Sequence, residues 1–183
     1  MTPNRFCPHC GAPTAYEIPP GDNRPRQVCP ACQAIHYENP RIVVGCVPEY
    51  QGRILICRRV IEPRRGYWTI PAGFMENGET LAQGAARECF EEALARVEIG
   101  SMLSIVDIPE ARQVHVFFRA RLIDGSFGAG PESLESQLVD ESGIPWAELA
   151  FPSSRHALRG YLADRAAGRE ELHRAVMSRR FDE

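Results

Sequence analysis

Between Gly73 and Leu94 one Arg and four Glu stand at spacings that a helix converts into a cluster. Glu79 follows Gly73 after five residues, seven more lead to Arg87-Glu88, and Glu91-Glu92 come after Cys89-Phe90. With charged residues near a quarter of an average chain, such a run arises by chance on the order of 10⁻⁷ per start position. Glu88, Glu91 and Glu92 lie at i, i+3 and i+4, so a helix turns their carboxylates to one face. Like charges so gathered repel unless a cation sits among them, and the run reads as a divalent-metal site on a helix. Thr80, with Gln83 three residues later, forms a capping box that starts the helix. Leu81, Ala85 and Cys89 then recur at four-residue spacing as an apolar stripe. Cys89 therefore reads as a small buried hydrophobe, as do Cys46 and Cys57 inside apolar strands.

The remaining four cysteines make two Cys-x-x-Cys knuckles, Cys7-Pro8-His9-Cys10 and Cys29-Pro30-Ala31-Cys32, 18 residues apart. That spacing suits a four-thiolate Zn²⁺ site, in which each two-residue gap lets both sulfurs reach one tetrahedral ion. The intervening Pro19-Pro20-Gly21-Asp22-Asn23 is a turn cluster in a segment with few large apolar residues, which needs such a staple to fold. Four sulfurs complete the site without His9. The role expected for the zinc is structural, because no open coordination position is implied.

Asn39-Pro40 marks a boundary, giving a zinc ribbon over 1–38 and a second domain over 39–183. Ile42 to Val47 and Ile54 to Cys57 read as a hairpin turning at Gln51-Gly52, and Tyr67 to Ile70 as a short strand. Further strands are expected at Met102–Ile108, Val114–Leu122 and Ser136–Val139, and a flexible loop from Gly125 to Pro131. Pro145 opens a short helix, and Ser153 or Ser154 can cap a longer one that ends near Gly168. The last segment reads as strand or helix. Mixed strands with helices at two places suggest a sheet sandwiched by helices. A net charge of −3, and a ribbon whose basic residues are only Arg5, Arg24 and Arg26, argue against a nucleic-acid partner. No stretch reads as a signal peptide or membrane span, so a cytoplasmic protein with reduced thiols is the expectation.

The carboxylate run resembles the Nudix hydrolase box: Gly, five residues, Glu, seven residues, Arg-Glu, an apolar residue, any residue, Glu-Glu, any residue, Gly and an apolar residue. It departs at one place, and we read Ala93 as standing in the slot of the last Gly, whose left-handed backbone normally ends the helix. Either Ala93 accepts a strain of roughly 1 kcal/mol or the helix runs on toward Ala95. The resemblance implies an α/β/α sandwich with a mixed sheet, in which a strand-loop-helix holds Mg²⁺ or Mn²⁺ against a substrate diphosphate. Glu88, Glu91, Glu92 and the carbonyl of Ala72 would ligate the ion. Gly73 and the Glu79–Arg87 ion pair would support the loop. Such an ion neutralises phosphate oxygens and lowers the pKa of a coordinated water. A base drawn from outside the box is expected at Glu132, with Glu135 second; Asp107 and Glu110 are weaker candidates.

Zinc ribbons also precede the Nudix domain in NADH pyrophosphatases, which carry Ser-Gln-Pro-Trp-Pro-Phe-Pro downstream; this chain has Ser104-Ile105-Val106-Asp107-Ile108-Pro109-Glu110 instead. It more closely resembles a ribbon-bearing group that includes the plant plastid FAD and ADP-ribose pyrophosphatase. The shared features are the Phe6-Cys7 knuckle, Asn39-Pro40 before Val43-Val44-Gly45-Cys46, Trp68-Thr69 before Pro71-Ala72-Gly73, Asp107-Ile108-Pro109 and Gly130-Pro131-Glu132-Ser133-Leu134-Glu135. The resemblance implies cleavage of FAD to FMN and AMP, or of ADP-ribose to ribose 5-phosphate and AMP. Tyr67, Phe74 and Phe118 are candidate stacking partners for such a substrate, and Arg64 and Arg65 candidate phosphate contacts. An NADH pyrophosphatase, a non-catalytic ligand sensor and an RNA cap hydrolase are the alternatives. A homodimer is an expectation by analogy.

Overall fold

Asn39 and Pro40 divide the chain into two compact units, of which the computed structural model describes residues 5–178. In the first unit β1 (Ala15–Glu17), β2 (Arg26–Val28) and β3 (Ile35–His36) form an antiparallel sheet. The two knuckles repeat one backbone pattern. Gly11 N donates to Cys7 O and Cys7 N to Ala12 O, just as Gln33 N donates to Cys29 O and Cys29 N to Ala34 O. A left-handed residue closes each knuckle, Gly11 at φ 74° and Gln33 at φ 61°. The four Sγ atoms lie within 4.8 Å of one another, with Cys7–Cys32 at 3.7 Å and Cys10–Cys29 at 3.5 Å. A tetrahedral zinc with sulfurs at its usual bond length needs sulfur–sulfur edges of about 3.8 Å, so the donor set fits the ion.

The second unit runs β4 (Arg41–Tyr50), β5 (Arg53–Arg59), β6 (Trp68–Thr69), β7 (Ala72–Phe74), α1 (Leu81–Ala93), β8 (Val97–Ile108), β9 (Gln113–Leu122), β10 (Ser133–Val139), α2 (Pro152–Ala167) and β11 (His173–Val176). The sheet order is β10-β5-β4-β9-β8-β11, with β6 added on β5 and β7 on β4. Pairing is parallel at β4–β9 and β8–β11 and antiparallel elsewhere, so the sheet is mixed. Strand alternation sorts the core into two faces. Val44, Cys46, Leu55, Cys57 and Phe118 pack with Ala85 and Cys89 of α1. Val47, Ile54, Ile56 and Phe117 pack with Ala157, Leu158 and Leu162 of α2. The sheet is thus covered by one helix on each side.

One detail of the sheet positions the site. β4 and β5 pair only beside their turn, at Glu49↔Ile54 and Tyr50↔Arg53. Beyond that β7 takes up β4, at Val43↔Phe74, Val44↔Gly73 and Gly45↔Ala72. The segment that leads into α1 is therefore held as a strand.

The structure corrects several expectations. β8 begins at Val97, five residues before the expected Met102, because its register shifts between Ile99 and Ser104 break the alternation that marks a strand. Neither Ser153 nor Ser154 caps α2. Pro152 opens that helix after Phe151, a position where its missing N–H costs no bond. The two serines are buried within its first turn, Ser153 Oγ 2.9 Å from His115 Nδ1 and Ser154 Oγ 3.1 Å from Thr69 Oγ1. The last segment is a strand, docked by His173 Nε2 at 3.1 Å from Asp164 Oδ2, itself paired with Arg119. Ala93 is helical and fully buried; the left-handed residue is Leu94, at φ 50° and ψ 26°. Counted residue by residue, the interposed position of the box after Glu92 is Ala93, and the slot of the last Gly belongs to Leu94. The 125–131 loop is tied down at two points. Gly128 N donates to Ala93 O at 2.7 Å and Gly130 N to Glu92 O at 3.0 Å, supplying partners for carbonyls that the end of α1 leaves open.

Candidate active site

The site is assembled on α1, whose start is fixed by the reciprocal capping box of Thr80 and Gln83. Arg87 ties the preceding loop to the helix. Its Nε and Nη2 meet Glu79 Oε2 and Oε1 at 3.0 and 2.8 Å, and Nη2 also donates to Phe74 O at 3.0 Å. The Arg87 hydrogen bonds hold the Glu79 carboxyl at a pKa of about 2. This fork-to-fork pair, of the strong charge-assisted kind, fixes where the box loop lies over the helix.

Glu88, Glu91 and Glu92 project from the same face, and their surroundings differ. Glu91 is exposed and accepts from Arg87 Nη1 at 2.8 Å. Glu88 is 8% exposed, accepts from the same nitrogen at 2.8 Å and presses against Gly73. A Cβ on Gly73 would stand 2.3 Å from Glu88 Oε2, so any other residue there would push this carboxylate from its place. Glu92 is 4% exposed and accepts from Ala72 N at 3.2 Å. Burial pushes its pKa up to about 8, with the nearby charges of Glu88 and Glu132 adding to the effect, and burial also raises that of Glu88. Among the described residues the four cysteines are the only group of three or more whose ligand atoms gather this closely, so the three carboxylates do not all converge, and Arg87 stands between Glu88 and Glu91. Two buried carboxylates with raised pKa values, beside a third that is exposed, fit a divalent ion by donor chemistry. Such an ion takes hard oxygen ligands and offsets the cost of burying their charge.

The other sequence candidates are scattered more widely. Glu132 follows the tied-down loop and lies near enough for its charge to act on Glu88 and Glu92. Glu135 is on β10, paired with Arg58 Nη1 at 3.0 Å. Phe118, expected to stack on substrate, is instead buried in the α1-side core, because Phe117 and Phe118 alternate into the two faces of β9. Phe74 is exposed with the Arg41 guanidinium 4.5 Å over its ring, and Tyr67 lies 4.9 Å under Arg64. Arg65 is exposed in the same loop as Arg64.

Two contributors escape a reading of sequence. Arg59, at the end of β5, is buried, donates from Nε to Pro63 O at 3.0 Å and stacks 5.0 Å over Phe151. Its positive charge acts on Glu92 and lowers the carboxyl pKa that burial raises. Gly130 approaches α1 so closely that a Cβ would fall 1.7 Å from Glu91 O. The adjacent Arg58-Arg59 and the Gly-Pro pair at 130–131 are the only signals either leaves in the sequence.

Comparison with known proteins agrees with this geometry. Residues 39–159 match the NUDIX domain model, and residues 5–38 match the Nudix N-terminal zinc-ribbon model. A NUDIX hydrolase from Nitrosomonas europaea superposes with a TM-score of 0.92 at 47% identity, over 96% of this chain and 99% of that one. An ADP-ribose pyrophosphatase of Methanocaldococcus jannaschii is 29% identical over 119 residues, 63% of this chain and 69% of that protein. The NAD-capped RNA hydrolase NudC of Edwardsiella ictaluri is 32% identical over 134 residues, 72% of this chain but 49% of that protein. The chain thus spans about half the length of its NudC relatives. Among the described residues no helix is long and apolar enough to cross a membrane. A ribbon model followed by a domain model, on a helix that gathers the box carboxylates, places the chain in the Nudix hydrolase family.

Proposed function

We propose that the chain hydrolyses the diphosphate bond of a dinucleotide-type substrate that carries an adenosine diphosphate, either FAD to FMN and AMP or ADP-ribose to ribose 5-phosphate and AMP. The observation that carries this reading is the pair of buried carboxylates, Glu88 and Glu92, beside exposed Glu91 and within electrostatic reach of Glu132. The similarity to an archaeal ADP-ribose pyrophosphatase and the shared segments of the ribbon-bearing FAD and ADP-ribose group support the choice of substrate.

Glu88, Glu91 and Glu92, with the Ala72 carbonyl, would hold Mg²⁺ or Mn²⁺. When bound, the ion supplies charge neutralisation at the diphosphate and acidifies water. The protein does the rest. Glu79 and Arg87 keep the Ala72–Phe74 strand over the helix, and Gly73 allows Glu88 to stand beneath it. Arg59 presents a desolvated positive charge to the phosphate side of the site, where a low local dielectric strengthens it. Glu132 accepts the proton of the attacking water. A new P–O bond forms as the bridging P–O bond breaks, and each product leaves with its own phosphate.

AMP release from FAD, ADP-ribose and NADH, each with Mg²⁺ or Mn²⁺, tests the reading. Turnover of FAD or ADP-ribose above NADH is expected. A preference for NADH would favour the NADH pyrophosphatase alternative, and absence of hydrolysis of all three would revive a ligand sensor.

A further inference from the structure

The carboxylate face of α1 continues into an apolar one. Phe90 and Leu94, at i and i+4 on α1 and its C-cap, are each 47% exposed. With exposed Pro131 across from them, they line a cleft of about 510 Å³, whose other walls are Glu91 and Glu132. This volume lies within the range of sites for small organic ligands.

Leu94 is the informative residue. It holds a left-handed backbone, which is unfavourable for any residue that carries a Cβ. Glycine would relieve that strain. Nor does the fold recover the cost by burying the side chain in either core, since Leu94 packs in neither. Strain kept at a half-exposed position beside reacting groups is a mark of a functional contact. Phe90 makes the same point by different means: it interrupts the run between Glu88 and Glu92 with a ring turned away from the core that its neighbour Cys89 enters.

We propose that Phe90, Leu94 and Pro131 form the seat for the planar heteroaromatic ring of the substrate, an inference that rests on the diphosphate-hydrolase reading above. The cleft has one chemistry at each end. Its carboxylates repel a bare anion and accept a diphosphate only with its cations. Its apolar walls offer nothing to a phosphate and suit the faces of a flat ring tethered to it. Leu94 grips one side of the ring and Phe90 stacks along it, while the Pro131 ring, without an N–H to solvate, closes the cleft.

The test is calorimetric binding of ADP and of inorganic diphosphate to the full chain in Ca²⁺, for the wild type, Leu94→Gly and Phe90→Ser. In the wild type the base should strengthen binding by about tenfold or more over diphosphate alone, equivalent to one buried ring contact. Leu94→Gly should reduce that advantage to about threefold or less and leave the diphosphate affinity within about twofold, with thermal stability unchanged or raised. Phe90→Ser should act in the same direction. An undiminished ADP advantage in both variants would overturn the seat. So would self-association of the wild type that Phe90→Ser abolishes without touching ADP binding, which would make the face a contact between copies. Failure of the wild type to bind diphosphate at all would instead overturn the hydrolase reading, and the seat with it.

Discussion

Replacing Gly130 with Ala should separate Glu132, the proposed base, from the carboxylate face of α1 without removing any acidic residue. The added Cβ would stand 1.7 Å from Glu91 O, 2.8 Å from Glu91 C and 3.1 Å from Glu92 C, all backbone atoms of α1 that have no side-chain freedom to yield. Ordinary contact requires the loop to retreat by about 1.5 Å or more. That retreat breaks the Gly130 N to Glu92 O bond of 3.0 Å and strains the neighbouring Gly128 N to Ala93 O bond of 2.7 Å. Leaving these groups poorly paired costs about 1–3 kcal/mol each, so the loop should lose roughly 2–4 kcal/mol of docking energy. Glu132 is two residues away and moves with it. A displacement of that size should lower kcat by about 10²-fold, with less effect on the affinity for Mn²⁺, because the box carboxylates stay where they are. Gly128→Ala is the control, since its Cβ would meet only the Leu94 side chain at 3.4 Å and beyond. Steady-state kinetics on the preferred dinucleotide, paired with thermal unfolding, reads both effects. Wild-type kcat in a folded Gly130→Ala protein would refute the placement of Glu132.

Glu132→Gln should lower kcat by about 10²–10⁴-fold, as removal of a general base does, whereas Glu135→Gln, whose carboxylate pairs with Arg58, should change it little. In buffer freed of Mg²⁺ and Mn²⁺ without chelator, so that zinc is retained, thermal stability should fall as the pH rises. The folded pKa of Glu92 lies at about 8 against an ordinary 4.5, so its contribution is present below the lower value and lost through the upper one. Glu92→Gln should flatten that part of the profile; an identical slope in the variant would show that another group is responsible. Cys29→Ser should abolish zinc binding, measured by metal analysis, while the soluble protein keeps its specific activity. A catalytic step that then depended on added zinc would refute a purely structural role for the ribbon.

The parts of the site legible in sequence are those made by local spacing. Helix periodicity alone groups Glu88, Glu91 and Glu92, the capping box fixes where α1 starts, and two knuckles at the right interval specify four thiolates. What sequence could not supply depends on where the chain returns from a distance. Glu132 and Glu135 are near-equivalent in sequence, yet docking of Gly128 and Gly130 on the end of α1 puts one near the metal face, while pairing of β10 with β5 gives the other to Arg58. Phe118 could be ranked against Phe117 only once both faces of β9 were known to be covered. Arg59 reads as an unremarkable strand-end residue until the fold brings its charge near enough to act on Glu92. The box spacing counted along the sequence does put the last Gly slot at Leu94, and what it could not show is that leucine, a residue type that rarely turns left-handed, keeps that turn.

The central claim is that the carboxylates of α1 hold a divalent ion on which hydrolysis depends. Mn²⁺ titration followed by electron paramagnetic resonance, run in parallel with AMP release, tests it in one preparation of wild type and Glu92→Gln. The wild type should bind Mn²⁺ and turn over in proportion to its occupancy, and Glu92→Gln should lose both while keeping its fold and its zinc. Turnover by Glu92→Gln at the wild-type rate, or Mn²⁺ binding unchanged by the substitution, would contradict it.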